Sequence, residues 1–195
     1  MDDPTTLAID PPGAVGQVLE RAAEFVALAG GFVMVAIMLL SSISVLGRSL
    51  PQLLGSLDAR LTPLNVPGDI EIVQLGCAVT IFCFLPYCQI RRANVFVDFF
   101  TKGLAVARRA LFDLVANAVY LVLTLAIAWQ LGHGMREKFT NRDSTMVLRV
   151  PEAWPYLFAV IAAWLLVVVV AYTVWRSFAE ARTGRAIGPY PALDH

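Results

Sequence analysis

Charge is scarce in this chain, and its distribution is uneven. Lys and Arg together number 15 and Asp and Glu 15, so charged residues make up 15% of 195 residues against 58% hydrophobic ones. No Asp, Glu, Lys or Arg occurs from Phe25 to Gly47, from Ile72 to Ile90, from Leu114 to Met135 or from Ala153 to Trp175. Each gap is about 20 residues, the length at which a helix rising 1.5 Å per residue crosses the roughly 30 Å apolar core of a bilayer. A single gap could be a buried helix of a soluble domain. Four of them, covering nearly half the chain, exclude an ordinary soluble composition. The expected fold is an all-α membrane protein with four transmembrane helices.

The residues that carry chemistry are just as sparse. The two histidines, His133 and His195, are a span-end residue and a tail residue, so no haem can be held between helices by a histidine pair. Cys77, Cys83 and Cys88 have neither the C-x-x-C spacing of a redox pair nor that of a zinc site, and read as small apolar filler of the second span. Ionisable residues inside a span mark substrate paths and proton relays. Here only His133 qualifies, with Gln74, Asn117 and Gln130 as the other strongly polar residues. No phosphate loop, nucleophile elbow or carboxylate pair stands where a cavity would form. The chain is expected to be no enzyme, to hold no cofactor or metal, and to bind no nucleic acid.

The segment before the first gap, "MDDPTTLAIDPPGAVGQVLE", is acidic and Pro-rich, unlike the basic lead of a signal peptide. The first run is therefore expected to stay as a membrane helix. Nine Lys and Arg fall in the N-terminal segment, the second connection and the tail, against six in the first and third connections. The excess predicts cytoplasmic termini and second connection. The expected domains are a flexible leader over 1–20, a membrane region over 21–178 and a tail over 179–195.

Between the second and third gaps stands "IRRANVFVDFFTKGLAVARRALFD". On a helix over 95–113, Asp98, Lys102, Arg109 and Asp113 share one side, and Phe96, Phe99, Phe100, Leu104, Ala107 and Leu111 fill the other. Asp98 and Lys102 form an i,i+4 pair. The pattern predicts an amphipathic interfacial helix between the second and third spans, its apolar side in membrane lipid.

Charges at span ends complete the inventory. Arg48 closes the first span, and Asp69 and Glu71 open the second, Glu71 between Ile70 and Ile72. A carboxylate in a first helical turn is favoured by the helix dipole. Its partner is expected to be Arg48, a cation of another subunit, or water.

The order of these features resembles the small membrane subunit, DctQ-like, of tripartite ATP-independent periplasmic (TRAP) transporters. Members of that family have four spans, an Arg ending the first and a Glu opening the second, here Arg48 and Glu71. An R-x-x-x-(H)-x-x-V-D segment follows the second span, here Arg91 or Arg92 leading to Val97 and Asp98, with Asn94 where many members have His. Before the fourth span comes an S-x-x-L-x-x-P-x-W-x-x-Y-like stretch, here Ser144, Leu148, Pro151, Trp154 and Tyr156.

The resemblance implies an inner-membrane scaffold for a large membrane subunit. That subunit would perform sodium-coupled uptake of an organic acid delivered by a periplasmic substrate-binding protein. It also implies partner or structural interface roles for Arg48, Glu71, Arg91, Arg92, Asp98, Pro151, Trp154 and Tyr156. Two other classes fit a four-span chain. A redox-enzyme anchor needs a haem, quinone or thiol constellation, and a small homo-oligomeric transporter needs a polar path. Neither feature is visible in the residues.

Overall fold

The computed structural model describes residues 9–10, 13–54, 67–91, 106–183 and 186–187. The helices among these residues are α1 (Ala14–Leu54), α2 (Asp69–Ile90), α3 (Val106–Asn141) and α4 (Ala153–Thr183). All four are long and apolar enough to cross a membrane. Two short strands, β1 (Ile9–Asp10) and β2 (Ala186–Ile187), pair in parallel with Ile9 opposite Ala186. That pairing brings the segments flanking α1 and α4 together. It defines a proximal end of the bundle, where these segments meet, and a distal end holding the α1–α2 and α3–α4 connections.

α4 is the central helix. Its buried residues Ala159, Val160, Ala162, Ala163, Leu166, Val167, Val169 and Val170 cover more than one face. It packs against both α2 and α3, while α1 packs chiefly on α2. One core cluster joins Ala23 of α1, Ile90 of α2 and Val169 of α4; another joins Ala128 of α3 to Ala163 and Val167, with Phe82 of α2 against it.

α1 is held differently. Its buried positions are Gly16, Ala23, Ala27, Gly30, Ile37 and Ser44. Apart from Ala27 they recur every seven residues, a narrow seam of the coiled-coil kind built mostly from small side chains. The seam runs through Ala27 and Gly30, while Gly31 is only half-buried beside it. A Cβ on Gly30 would stand 2.6 Å from the Cβ of Cys83, so the two helices touch backbone to side chain there. The rest of α1 is turned outward, Phe32 being 78% exposed, and α3 likewise presents Val115, Val119, Val122 and Trp129.

Two expectations need restating against these elements. α1 begins at Ala14, inside the segment expected to be a flexible leader. Of the expected interfacial helix over 95–113, residues 95–105, with Asp98, lie outside the described residues, as does Arg92. Its remainder from Val106 belongs to α3. From Val106 to Asn141 the sequence has no proline, and its first glycine is Gly132, so nothing breaks the helix between Asp113 and the third span. A separate fifth helix is therefore not among the described elements.

Candidate functional site

The distal end is tied by two adjacent carboxylates that do different jobs. Asp69 opens α2, and residues two apart on a helix point to different sides. Asp69 turns toward α1 and Glu71 toward the α3–α4 connection.

Arg48 pairs with Asp69, not Glu71. Ser44 Oγ donates to Asp69 Oδ2, and Arg48 Nη2 donates to Ser44 Oγ at 3.0 Å. Asp69 Oδ1 also accepts from the backbone N–H of Ile70 at 2.9 Å. Ser44 and Asp69 are buried, and Ser44 is the last residue of the α1 seam described above. The seam therefore ends in a polar clasp that sets α1 against the entrance of α2.

Glu71 finds its partners in backbone. Its two carboxylate oxygens accept from the N–H groups of Val147 at 3.0 Å and Leu148 at 3.2 Å. The segment they belong to is folded tightly. Ser144 and Pro151 form an antiparallel bridge, Thr145 N donates to Val150 O at 3.0 Å, and Val150 N donates to Thr145 Oγ1 at 3.2 Å. Lys138 Nζ reaches Asp143 at 3.0 Å and Glu152 at 2.9 Å, clamping the segment's two stems. Arg142 and Arg149 both sit at φ 53°, the left-handed region that lets the chain reverse within so few residues.

Leu148 completes the closure. Gly68 caps α2 at φ 79°, and a Cβ there would collide with the Leu148 side chain. Leu148 is thus seated on a glycine whose backbone conformation and missing side chain both serve the fit. Below it lies an open apolar groove of about 640 Å³, lined by Phe32, Leu75, Leu148, Trp154 and Phe158, with Glu71 at its edge. Tyr156, half-buried, lies against α3, 3.4 Å from where a Cβ on Gly134 would stand.

The structure therefore brings Arg48, Glu71, Pro151, Trp154 and Tyr156 to one end and places Arg91 at the other. Arg91 pairs with Glu20 of α1 at 2.9 Å, its guanidinium 5.5 Å from the Tyr87 ring centroid.

Beside Arg91 is a polar network that the sequence reading passed over apart from Asn117. Gln89 Nε2 donates to Asn117 Oδ1 at 2.8 Å and Thr173 Oγ1 at 3.1 Å, and Asn117 Nδ2 donates to Ser177 Oγ at 3.1 Å. Arg176 Nη1 donates to the Ile90 carbonyl at 3.5 Å. Arg176 is 3% exposed and Glu180 0%. Thr173, Arg176, Ser177 and Glu180 follow one another at i, i+3, i+4 and i+7, so reading polar residues for helical period would have found this face. Gln74, Gln130 and His133 are exposed and do not join it.

Interhelical hydrogen bonds within a membrane contribute on average about 0.6 kcal/mol and at most about 1.7. Gln89→Leu and Asn117→Leu are each expected to destabilise by that order, and the pair by less than the sum because they share a bond. Unfolding in detergent measures this, and strictly additive losses would show that the two residues act separately.

Among the described residues no group of three or more His, Cys, Asp or Glu is placed to hold a metal ion. The arrangement consists of two polar clasps at the helix ends with apolar spans between them. Comparison with curated proteins and with solved structures returns no match. The family profile described as "Tripartite ATP-independent periplasmic transporters, DctQ component" matches residues 59–180, which takes in α2, the clasped α3–α4 connection and nearly all of α4. The chain belongs to the DctQ family, the small membrane component of TRAP transporters.

Proposed function

We propose that this chain is a rigid scaffold for the large membrane subunit of its transporter. The large subunit would carry out sodium-coupled uptake of an organic acid delivered by a periplasmic binding protein. The observation that carries this reading is the contrast between the interior and the outside of the bundle. The spans contain no charged residue over the four long gaps, and polar groups gather at the two ends, where they join helices to one another. Meanwhile α1 and α3 turn wide apolar faces outward. Such a bundle offers surface to a membrane partner and no path of its own.

In this reading the proximal end faces the cytoplasm of an inner-membrane protein, in keeping with the Lys and Arg excess, and the distal end faces the periplasm. In the same reading, the amphipathic pattern over 95–113 serves to seat the scaffold at the membrane surface. Asp98 lies in that pattern and Arg92 just before it.

Expressed with the large subunit, the chain should co-purify with it in mild detergent at one copy each. Reconstituted alone with a sodium gradient and candidate organic acids, it should show no uptake. Robust uptake by the chain alone would favour a self-sufficient transporter and overturn the scaffold reading.

A further inference from the structure

α1 and α4 meet at the proximal end, where Ala23 and Val169 share a core cluster. Toward the distal end the space between them is the apolar groove of about 640 Å³. Leu75 and Val79 of α2 back it, Ala36 and Phe158 face it from α1 and α4, and Leu148 and Val150 close over it. We propose that this groove is a lipid site, holding one acyl chain of a membrane phospholipid whose phosphate is met by Arg149 at the rim. The inference needs only that these helices cross a membrane, and stands apart from the scaffold reading.

Three observations carry it. First, size separates a chain from a helix. The α1 wall runs from Phe32 to Leu40, a little over two turns. A helix is about 10–12 Å across with its side chains, so two turns of one fill roughly 850–1,200 Å³. That is more than the whole groove. A hydrocarbon chain is a single file of methylenes and enters where a helix does not.

Second, the lining offers nothing to water or to a polar ligand. Its polar side chains, Glu71 and Thr145, are already engaged: Glu71 accepts from the N–H groups of Val147 and Leu148, and Thr145 Oγ1 from that of Val150. A trapped water needs two to four polar partners, and an empty groove forfeits the dispersion contacts of its walls. Acyl chains are the apolar matter at hand inside a bilayer.

Third, the rim carries a cation. Arg149 stands between Leu148 and Val150, which both line the groove, and is exposed. The neighbouring carboxylates are held elsewhere, Asp143 and Glu152 by Lys138 and Asp69 by Arg48. A guanidinium binds phosphate through paired, charge-assisted hydrogen bonds. Trp154, on the same groove, is of a residue type that gathers at headgroup depth.

The test reads Trp154 directly. Trp129→Phe/Trp164→Phe/Trp175→Phe leaves it as the only tryptophan. The full chain, stripped of lipid in detergent, is titrated with phosphatidylglycerol whose acyl chains carry bromine, which quenches tryptophan on contact. Quenching should saturate near one lipid per chain. Ala36→Phe, which places a ring in the groove from an exposed position, should abolish the saturable phase. Arg149→Asn leaves the groove open and tolerates the left-handed backbone. It should weaken binding about tenfold, as loss of a hydrogen bond to a charged group does.

Quenching that rises without saturation, and equally in Ala36→Phe, reports bulk lipid and overturns the site. Equal affinity for a brominated fatty alcohol, with no effect of Arg149→Asn, removes the phosphate contact and overturns a phospholipid as the occupant. The same titration of the complex with the large subunit should give the same saturation. Its absence there, with loss of co-purification in Ala36→Phe, gives the groove to the large subunit and overturns the lipid site. Uptake by the chain alone, which would overturn the scaffold reading, leaves this titration as it is.

Discussion

Glu71→Gln should release the α3–α4 connection from α2 and lower both complex stability and uptake, while the choice of substrate stays as it was. The carboxylate now accepts from two backbone N–H groups, one on each oxygen. A glutamine keeps one oxygen and puts an NH2 group, itself a donor, in place of the other, so one N–H loses its acceptor. Leu148 is seated through the same contact, and with it one wall of the apolar groove. The loss should therefore exceed that of any single change to an exposed residue of the connection, such as Arg142→Asn.

Double variants locate the partner. Because Arg48 pairs with Asp69, Arg48→Gln and Asp69→Asn should be strongly non-additive, whereas Arg48→Gln and Glu71→Gln should add. Thermal unfolding of the detergent-solubilised complex measures both cycles. Coupling between Arg48 and Glu71 of the size seen between Arg48 and Asp69 would contradict the separate roles of the two carboxylates. So would wild-type stability and uptake in Glu71→Gln.

What the residues reveal in advance, and what they conceal, follows from the kind of interaction. The four spans were legible because membrane burial imposes a composition on each segment independently of its neighbours. The run of Ser144, Leu148, Pro151, Trp154 and Tyr156 was legible as an ordered set, and Glu71 as an acid in need of a partner. That the two meet was hidden, because the donors are backbone N–H groups, which every residue but proline has and no side chain advertises.

The pairing of Arg48 depended on which of two acids, 69 or 71, turns toward α1. Sequence spacing separates their directions but does not say which direction holds α1. The repeat of Gly16, Ala23, Gly30, Ile37 and Ser44 was visible as a period of seven, yet small residues also occur throughout the exposed faces of these helices. Only the structure distinguishes Gly30, which meets Cys83, from its neighbour Gly31. The proximal network was missed because Thr173, Arg176, Ser177 and Glu180 straddle the boundary where the charge-free run stops, and such residues pass easily for a solvated helix end.

The second large effect is expected at Gly30. α1 is fastened to the bundle chiefly by one narrow seam, so a wedge in that seam acts on the whole helix. A side chain at position 30 meets the Cβ of Cys83 at 2.6 Å and lies 3.6 Å from the Thr80 carbonyl oxygen, neither of which can swing aside as the end of a long side chain would. Overpacking of this kind costs about 1–3 kcal/mol, and Gly30→Leu should fall at the upper end. For a chain of this size that corresponds to a drop in Tm of roughly 2–4 °C per kcal/mol.

Gly30→Ala should also destabilise, even though alanine is the better helix former by about 0.8–1.0 kcal/mol. The proof of mechanism is rescue. Cys83→Gly removes the atom that the new Cβ would strike, so Gly30→Ala/Cys83→Gly should be more stable than the sum of the two single losses predicts. Thermal unfolding in detergent reads all four corners of the cycle. If Gly30→Ala proves as stable as wild type, or if the double variant shows only the added losses, then α1 and α2 do not pack through this contact.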